Sequence, residues 1–182
     1  MMEEGDKMAG LVHIYTGNGK GKTTAAIGLG IRASGRGLKV LMVQFLKGTD
    51  TGETKIIENL NPYFRIYRQE EIKKFVWTMT ENELKELTTV QQKLFEYAVS
   101  AVNSGESDLL ILDEIMAAAT MGLVPIEEVI DFIKCKPEAV EVVLTGRNAP
   151  AELIELADYV SEIHPVKHPM EKGIPARRGI EF

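Results

Sequence analysis

The sequence predicts an α/β fold with a mostly parallel central sheet and helices on both faces. Two observations predict it. Short apolar runs alternate with amphipathic stretches along almost the whole chain, the pattern of strands buried on both faces by crossover helices. The first apolar run, "LVHIY" (11–15), also passes through the glycine-rich turn "TGNGKGKTT" (16–24) into a run of helical character, the order of a strand–turn–helix unit.

Taken in order, "LVHIY" reads as a buried strand, and "KTTAAIGLGIRAS" (22–34) as a helix whose small residues permit close approach to a sheet. "KVLMVQF" (39–45) is a second buried strand, "TKIIENL" (54–60) a short helix and "YFRIYR" (63–68) a strand of alternating character. In the next helix Thr80 and Glu83 form a capping box, and Leu84, Leu87, Leu94, Ala98 and Val102 recur at helical spacing up to a stop at Gly105. "DLLIL" (108–112) is uniformly apolar and therefore central. Pro125 opens a helix, "VEVVLTG" (140–146) is a strand, Asn148 is placed to cap "APAELIELA", and "YVSEI" (159–163) is the last strand. Two polar stretches that follow strands, "KGTDTGE" (47–53) and "QEEIKKFVWTM" (69–79), break the regularity. Loops after strands carry ligands in open α/β sheets.

Composition narrows the function. The chain has 182 residues, 45% of them apolar and 26% charged, as expected of one globular domain over 11–182 behind a flexible arm at 1–10. A net charge of −6 argues against a nucleic-acid binder, but leaves room for a locally positive anion pocket. The polar start is no signal peptide, and no apolar run reaches membrane-spanning length. The single cysteine, Cys135, excludes an internal disulfide and fits a reducing cytoplasm. Without an evident histidine partner it reads as a packed helix residue rather than a nucleophile.

The turn at 16–24 has what a phosphate loop needs. Gly17, Gly19 and Gly21 let backbone N–H groups converge on an anion ahead of a helix N-terminus. Lys22 is the reaching lysine, and Thr23 supplies a hydroxyl for Mg²⁺. Thr16 stands where the usual pattern has glycine, and Lys20 adds a second cation, so the anion frame is altered. "LLILDE" brings Asp113 and Glu114 to a strand end, where one acid is expected to be metal-linked and the other structural. Together these give a P-loop NTPase-like (RecA-like) fold. Arg147, after the strand "VLTG", and Arg32, on the helix behind the loop, are further anion candidates. Phe75 and Trp77 fall on one side of an extended segment, which leaves core packing and a binding role both open. His13 reads as a satisfied strand residue. His164 and His168 lie in the tail without metal-ligand spacing.

The pieces "TGNGKGKTTAA", "VQFLKG", "FVWTMTENE", "LLILDE", "LVPIEEVI", "VLTGR", "LIELADYVSEIHPVKHPMEKGI" and "GIEF" together resemble the P-loop class of ATP:cob(I)alamin (corrinoid) adenosyltransferases from about residue 11 to the end. The resemblance implies two substrates, ATP and cob(I)alamin or another corrinoid. The Co(I) centre would attack the ribose 5′ carbon and expel triphosphate. The nucleotide would lie reversed in the loop, its α-phosphate where a γ-phosphate normally sits. Gly17, Asn18, Gly19, Lys20, Gly21, Lys22, Thr23 and Thr24 would cradle the triphosphate, with Arg32 as a further contact, and Lys22 would neutralise leaving-group charge. Thr23 and Glu114 would hold Mg²⁺ with Asp113 in support. Phe75 and Trp77 would lie against the lower corrin face and exclude the axial ligand. The resemblance also implies a reduced flavoprotein as electron donor and a homodimer, in which relatives have an N-terminal helix that can cover the partner's site, where this sequence has a short arm. The competing readings are a P-loop ATPase or kinase acting on a small molecule, and a non-catalytic nucleotide- or corrinoid-binding protein. The arginine-rich lid and acceptor base of a kinase are not evident in the sequence.

Overall fold

The computed structural model describes residues 9–47, 51–69 and 76–181, the side chain of Trp77 excepted. Among them are the strands β1 (Val12–Thr16), β2 (Val40–Gln44), β3 (Phe64–Arg68), β4 (Leu109–Asp113), β5 (Glu141–Thr145) and β6 (Tyr159–Glu162). They form one sheet in the order β3-β2-β4-β5-β1-β6, with every pairing parallel. The helices are α1 (Lys22–Ser34), α2 (Gly52–Ile57), α3 (Glu81–Asn103), α4 (Ile115–Thr120), α5 (Ile126–Cys135) and α6 (Ala151–Leu156).

Alternate residues of the central strands supply two cores, which is why those strands read as unbroken apolar runs. Leu41, Val43, Leu110 and Leu112 pack with α3 and α5 on one face, while Val40, Met42, Leu109 and Ile111 pack with α1 on the other. The small residues of α1 matter for that approach: a Cβ on Gly30 would stand 2.6 Å from the ring of Phe64. At α3 the Thr80–Glu83 capping box forms as the sequence implies, and Gly105 takes φ 73° just past the helix end. Gln91 is fully buried in α3. Its Oε1 accepts from the Leu46 N–H at 3.0 Å, which fixes the chain as it leaves β2.

Several sequence expectations are corrected. Leu84, in the first turn of α3, is 39% exposed. Asn148 does not cap α6. It adopts a left-handed φ of 53° in the preceding loop, and Pro150 occupies the cap position. The helix expected over 54–60 starts at Gly52 and tightens into a 3₁₀ turn at Glu58–Leu60. Val76–Thr78 is also a 3₁₀ turn, so the alternation of an extended segment does not apply at Trp77. Cys135 ends α5 and is exposed rather than packed. The expected arm lies outside the described residues through residue 8; next to it, Gly10 N–H donates to Glu138 O at 2.7 Å. Among the described residues no helix is long and apolar enough to cross a membrane.

Candidate active site

The phosphate-loop candidate begins one residue later than its sequence pattern suggests. Thr16 is the last residue of β1, buried and in register with Glu162 of β6. Its carbonyl accepts from the Ile163 N–H at 2.9 Å, and the Ile163 carbonyl accepts in turn from the Gly19 N–H at 2.7 Å. The turn is thereby fastened to the chain leaving β6. Gly17 is required at its start: it has φ 98°, and a Cβ there would lie 2.5 Å from Ile163 O.

Lys22, the first residue of α1, is only 8% exposed. Its ammonium donates to Gly17 O at 2.8 Å and Gly19 O at 2.9 Å, so it sits inside the turn. Burial lowers the Lys22 pKa and Arg147 adds to the effect, while Glu114 and Asp113 oppose it. The first turn of α1 carries no acidic residue, which leaves its positive dipole end free for an anion.

Facing the turn, β4 ends on Asp113, which is completely buried. Its Oδ1 accepts from Thr23 Oγ1 at 2.8 Å and from Thr145 Oγ1 at 2.7 Å. Its Oδ2 accepts from Gln44 Nε2 at 3.3 Å and from the Lys47 ammonium. Lys47 also donates to Thr23 Oγ1 at 3.2 Å. The ends of β2, β4 and β5 and the start of α1 therefore converge on one carboxylate. The next residue, Glu114, takes a left-handed conformation, φ 63° and ψ 20°, at a cost of about 1–3 kcal/mol for a non-glycine residue. Its N–H donates to Thr145 Oγ1 at 2.9 Å. Glu114 borders the cavity that opens above the turn.

That cavity has a volume of about 700 Å³, within the range of small-molecule sites. Asn18, Gly19, Lys20, Gly21, Lys22, Thr23 and Thr24 border it, as do Arg147 and Glu114. Gly17 does not border it, and its carbonyl accepts from Lys22. Arg32 is not brought to the cavity: it is exposed in the last turn of α1, about 15 Å along the helix axis from Lys22 at 1.5 Å per residue. Phe75 lies outside the described residues, and Trp77 is described only as backbone in its 3₁₀ turn.

Five contributors carried no site assignment. Gln44 and Lys47 fall within "VQFLKG": Gln44 is a polar residue closing a buried strand, and Lys47 opens the polar stretch 47–53 that follows it. Thr145 ends an apolar strand in the same way. His168 and Glu181 border the cavity from the C-terminal segment, and no local pattern marks them. The oxygen donors Thr23, Asp113 and Glu114 are of the type Mg²⁺ takes, and the ammonium of Lys47 already holds positive charge against two of them. Among the described residues no group of three or more His, Cys, Asp or Glu is placed to hold a metal. A metal here would complete its shell with phosphate and water oxygens.

An all-parallel sheet, a glycine turn enclosing a buried lysine at a helix start, and a strand-end Asp–Glu pair beside it define a P-loop nucleotide-binding protein. Comparison with known proteins narrows the class. The family model described as ATP:corrinoid adenosyltransferase BtuR/CobO/CobP matches residues 8–182, and the chain belongs to that family. It is 36% identical over 174 residues to the corrinoid adenosyltransferase of Escherichia coli (strain K12), spanning 95% of this chain and 86% of that protein. To the corrinoid adenosyltransferase of Sinorhizobium sp it is 38% identical over 176 residues, 95% of this chain and 80% of that one. To the corrinoid adenosyltransferase CobA of Salmonella typhimurium (strain LT2) it is 34% identical over 174 residues, covering 95% and 86%.

Proposed function

We propose that the cavity binds ATP with its triphosphate in the 17–24 turn and presents the ribose 5′ carbon to a corrinoid. The enzyme is a corrinoid adenosyltransferase: the electron pair of Co(I) forms the Co–C bond, the C5′–O bond breaks, and triphosphate departs with that bonding pair. The observation that carries the reading is the seat of Lys22, whose buried ammonium lies against two turn carbonyls at the edge of the cavity.

The chemistry explains which groups the protein supplies. The nucleophile is the metal of the substrate, so no general base is needed. In-line placement of cobalt, carbon and leaving oxygen is the main requirement, worth about 7–11 kcal/mol. Cations on the leaving group are the second. Lys22, with Lys20 and Arg147 bordering the same cavity, serves the departing triphosphate. Thr23 and Glu114 are the residues to hold Mg²⁺, and Asp113 orients Thr23 through the 2.8 Å bond. When bound, the metal would add charge neutralisation at the phosphates. The altered turn suits a nucleotide lying reversed, with its α-phosphate in the deepest position.

Phe75 and Trp77 are assigned to the lower corrin face, where they would displace the axial ligand and ease reduction to Co(I). A reduced flavoprotein as electron donor, a homodimer, a cytoplasmic location and a single domain over 11–182 complete the reading.

The test is an anaerobic assay with ATP, Mg²⁺ and chemically reduced corrinoid. Appearance of a light-sensitive Co–C bond by visible absorbance supports the transferase. Binding of both substrates without that bond would leave a binding protein instead.

A further inference from the structure

We propose that Lys47 is a built-in counter-cation, which pairs with Asp113, holds the metal-facing oxygen of Thr23 and gives that oxygen up to the metal–nucleotide complex. The inference rests on the metal reading of Thr23 above and adds a residue that controls when the metal can enter.

Asp113 is completely buried, and a buried carboxylate must be paired as well as hydrogen-bonded. Thr23, Thr145 and Gln44 give it three neutral donors; the charge is met by Lys47. The Lys47 ammonium also donates to Thr23 Oγ1 at 3.2 Å. Thr23 gives its single hydroxyl proton to Asp113, so the lone pairs on its Oγ1 are what a metal would use, and Lys47 already engages that oxygen. Mg²⁺ binds oxygen at about 2.0–2.1 Å. A divalent ion at that distance from Thr23 Oγ1 would crowd the ammonium, and two cations at such range repel strongly beneath the surface. Ammonium and metal are therefore alternatives at this oxygen.

Lys47 can move aside. Its side chain is 24% exposed, and it borders the same cavity as the phosphate turn. A triphosphate entering the turn brings oxygens that receive the ammonium at the moment the metal takes its place. Metal alone must displace Lys47 with nothing to receive it; metal with ATP need not. The outcome is positive coupling between the two ligands.

The experiment uses the full chain without nucleotide and Mn²⁺ as the probe, with free ion followed by electron paramagnetic resonance. Lys47→Met should bind Mn²⁺ at least fivefold more tightly than the wild type. Lys47→Arg, which keeps the charge, should stay at the wild-type value. ATP should tighten Mn²⁺ binding more in the wild type than in Lys47→Met. A gain below fivefold in Lys47→Met, or an equal gain in Lys47→Arg, overturns the proposal. Should Lys47→Met fail to fold, Lys47→Gln is read by the same criterion. A gain that survives adding Thr23→Val puts Mn²⁺ elsewhere and overturns the metal reading itself. No gain in Lys47→Met, while Thr23→Val still weakens Mn²⁺ binding in the presence of ATP, overturns the exchange alone.

Discussion

Thr145 Oγ1 donates to Asp113 Oδ1 at 2.7 Å and accepts from the backbone N–H of Glu114 at 2.9 Å. One hydroxyl at the end of β5 thus fixes both acids at the end of β4, in a sheet where β5 lies between β4 and the phosphate-turn strand β1. Both positions bear on catalysis if Glu114 faces a metal and Asp113 orients Thr23.

Thr145→Val should therefore act on stability and on the site together. It removes one of two donors to Asp113 Oδ1 and leaves the Glu114 N–H without its acceptor. Leaving buried polar groups unpaired costs about 1–3 kcal/mol, read as a drop in urea unfolding free energy. ATP affinity in Mg²⁺ should fall as well, with both effects largely restored in Thr145→Ser. An unfolding free energy equal to wild type would remove Thr145 from this role.

Lys22→Ala should collapse turnover through loss of charge at the triphosphate. The wild type adds a pH signature. Burial lowers the Lys22 pKa, so this lysine loses its proton at lower pH than an ordinary one. The protonated form binds the anion, so ATP affinity should weaken as pH rises, starting below the ordinary lysine range. Lys22→Arg should lack that limb, since a guanidinium stays charged. Fluorescence titration of an ATP analogue across alkaline pH reads both, and the same limb in Lys22→Arg would assign it to another group.

Gly17→Ala tests the backbone. The φ of 98° and a Cβ only 2.5 Å from Ile163 O force the turn away from the chain leaving β6. ATP affinity should drop at least tenfold, while far-UV circular dichroism keeps its α/β signature. Unchanged affinity would mean the turn does not hold the phosphates.

Trp77→Ala should lower the yield of four-coordinate cob(II)alamin measured by magnetic circular dichroism. An unaltered spectrum would return Trp77 to a packing role.

The fold was legible because burying a strand on both faces forces a run such as "VLMV" or "LLIL", and the candidate site was legible where its residues are neighbours in sequence, as at 17–24 and 113–114. Contacts between distant segments were not. Lys47 reaches Asp113 across 66 residues and Thr145 reaches it across 32, separations over which periodicity carries no information. Local conformation misled in two places. Asn148 satisfies a left-handed turn in place of a cap, and the 3₁₀ turn at Val76–Thr78 removes the alternation assumed for Trp77. Arg32 shares α1 with Lys22, but ten residues of helix rise carry it away from the cavity.

Phosphorus NMR of the products tests the central claim most directly, namely that the turn holds a triphosphate as a leaving group while cobalt attacks carbon. With ATP, Mg²⁺ and reduced corrinoid under anaerobic conditions, the account predicts inorganic triphosphate in a one-to-one ratio with the new Co–C bond. ADP and orthophosphate in its place would contradict it.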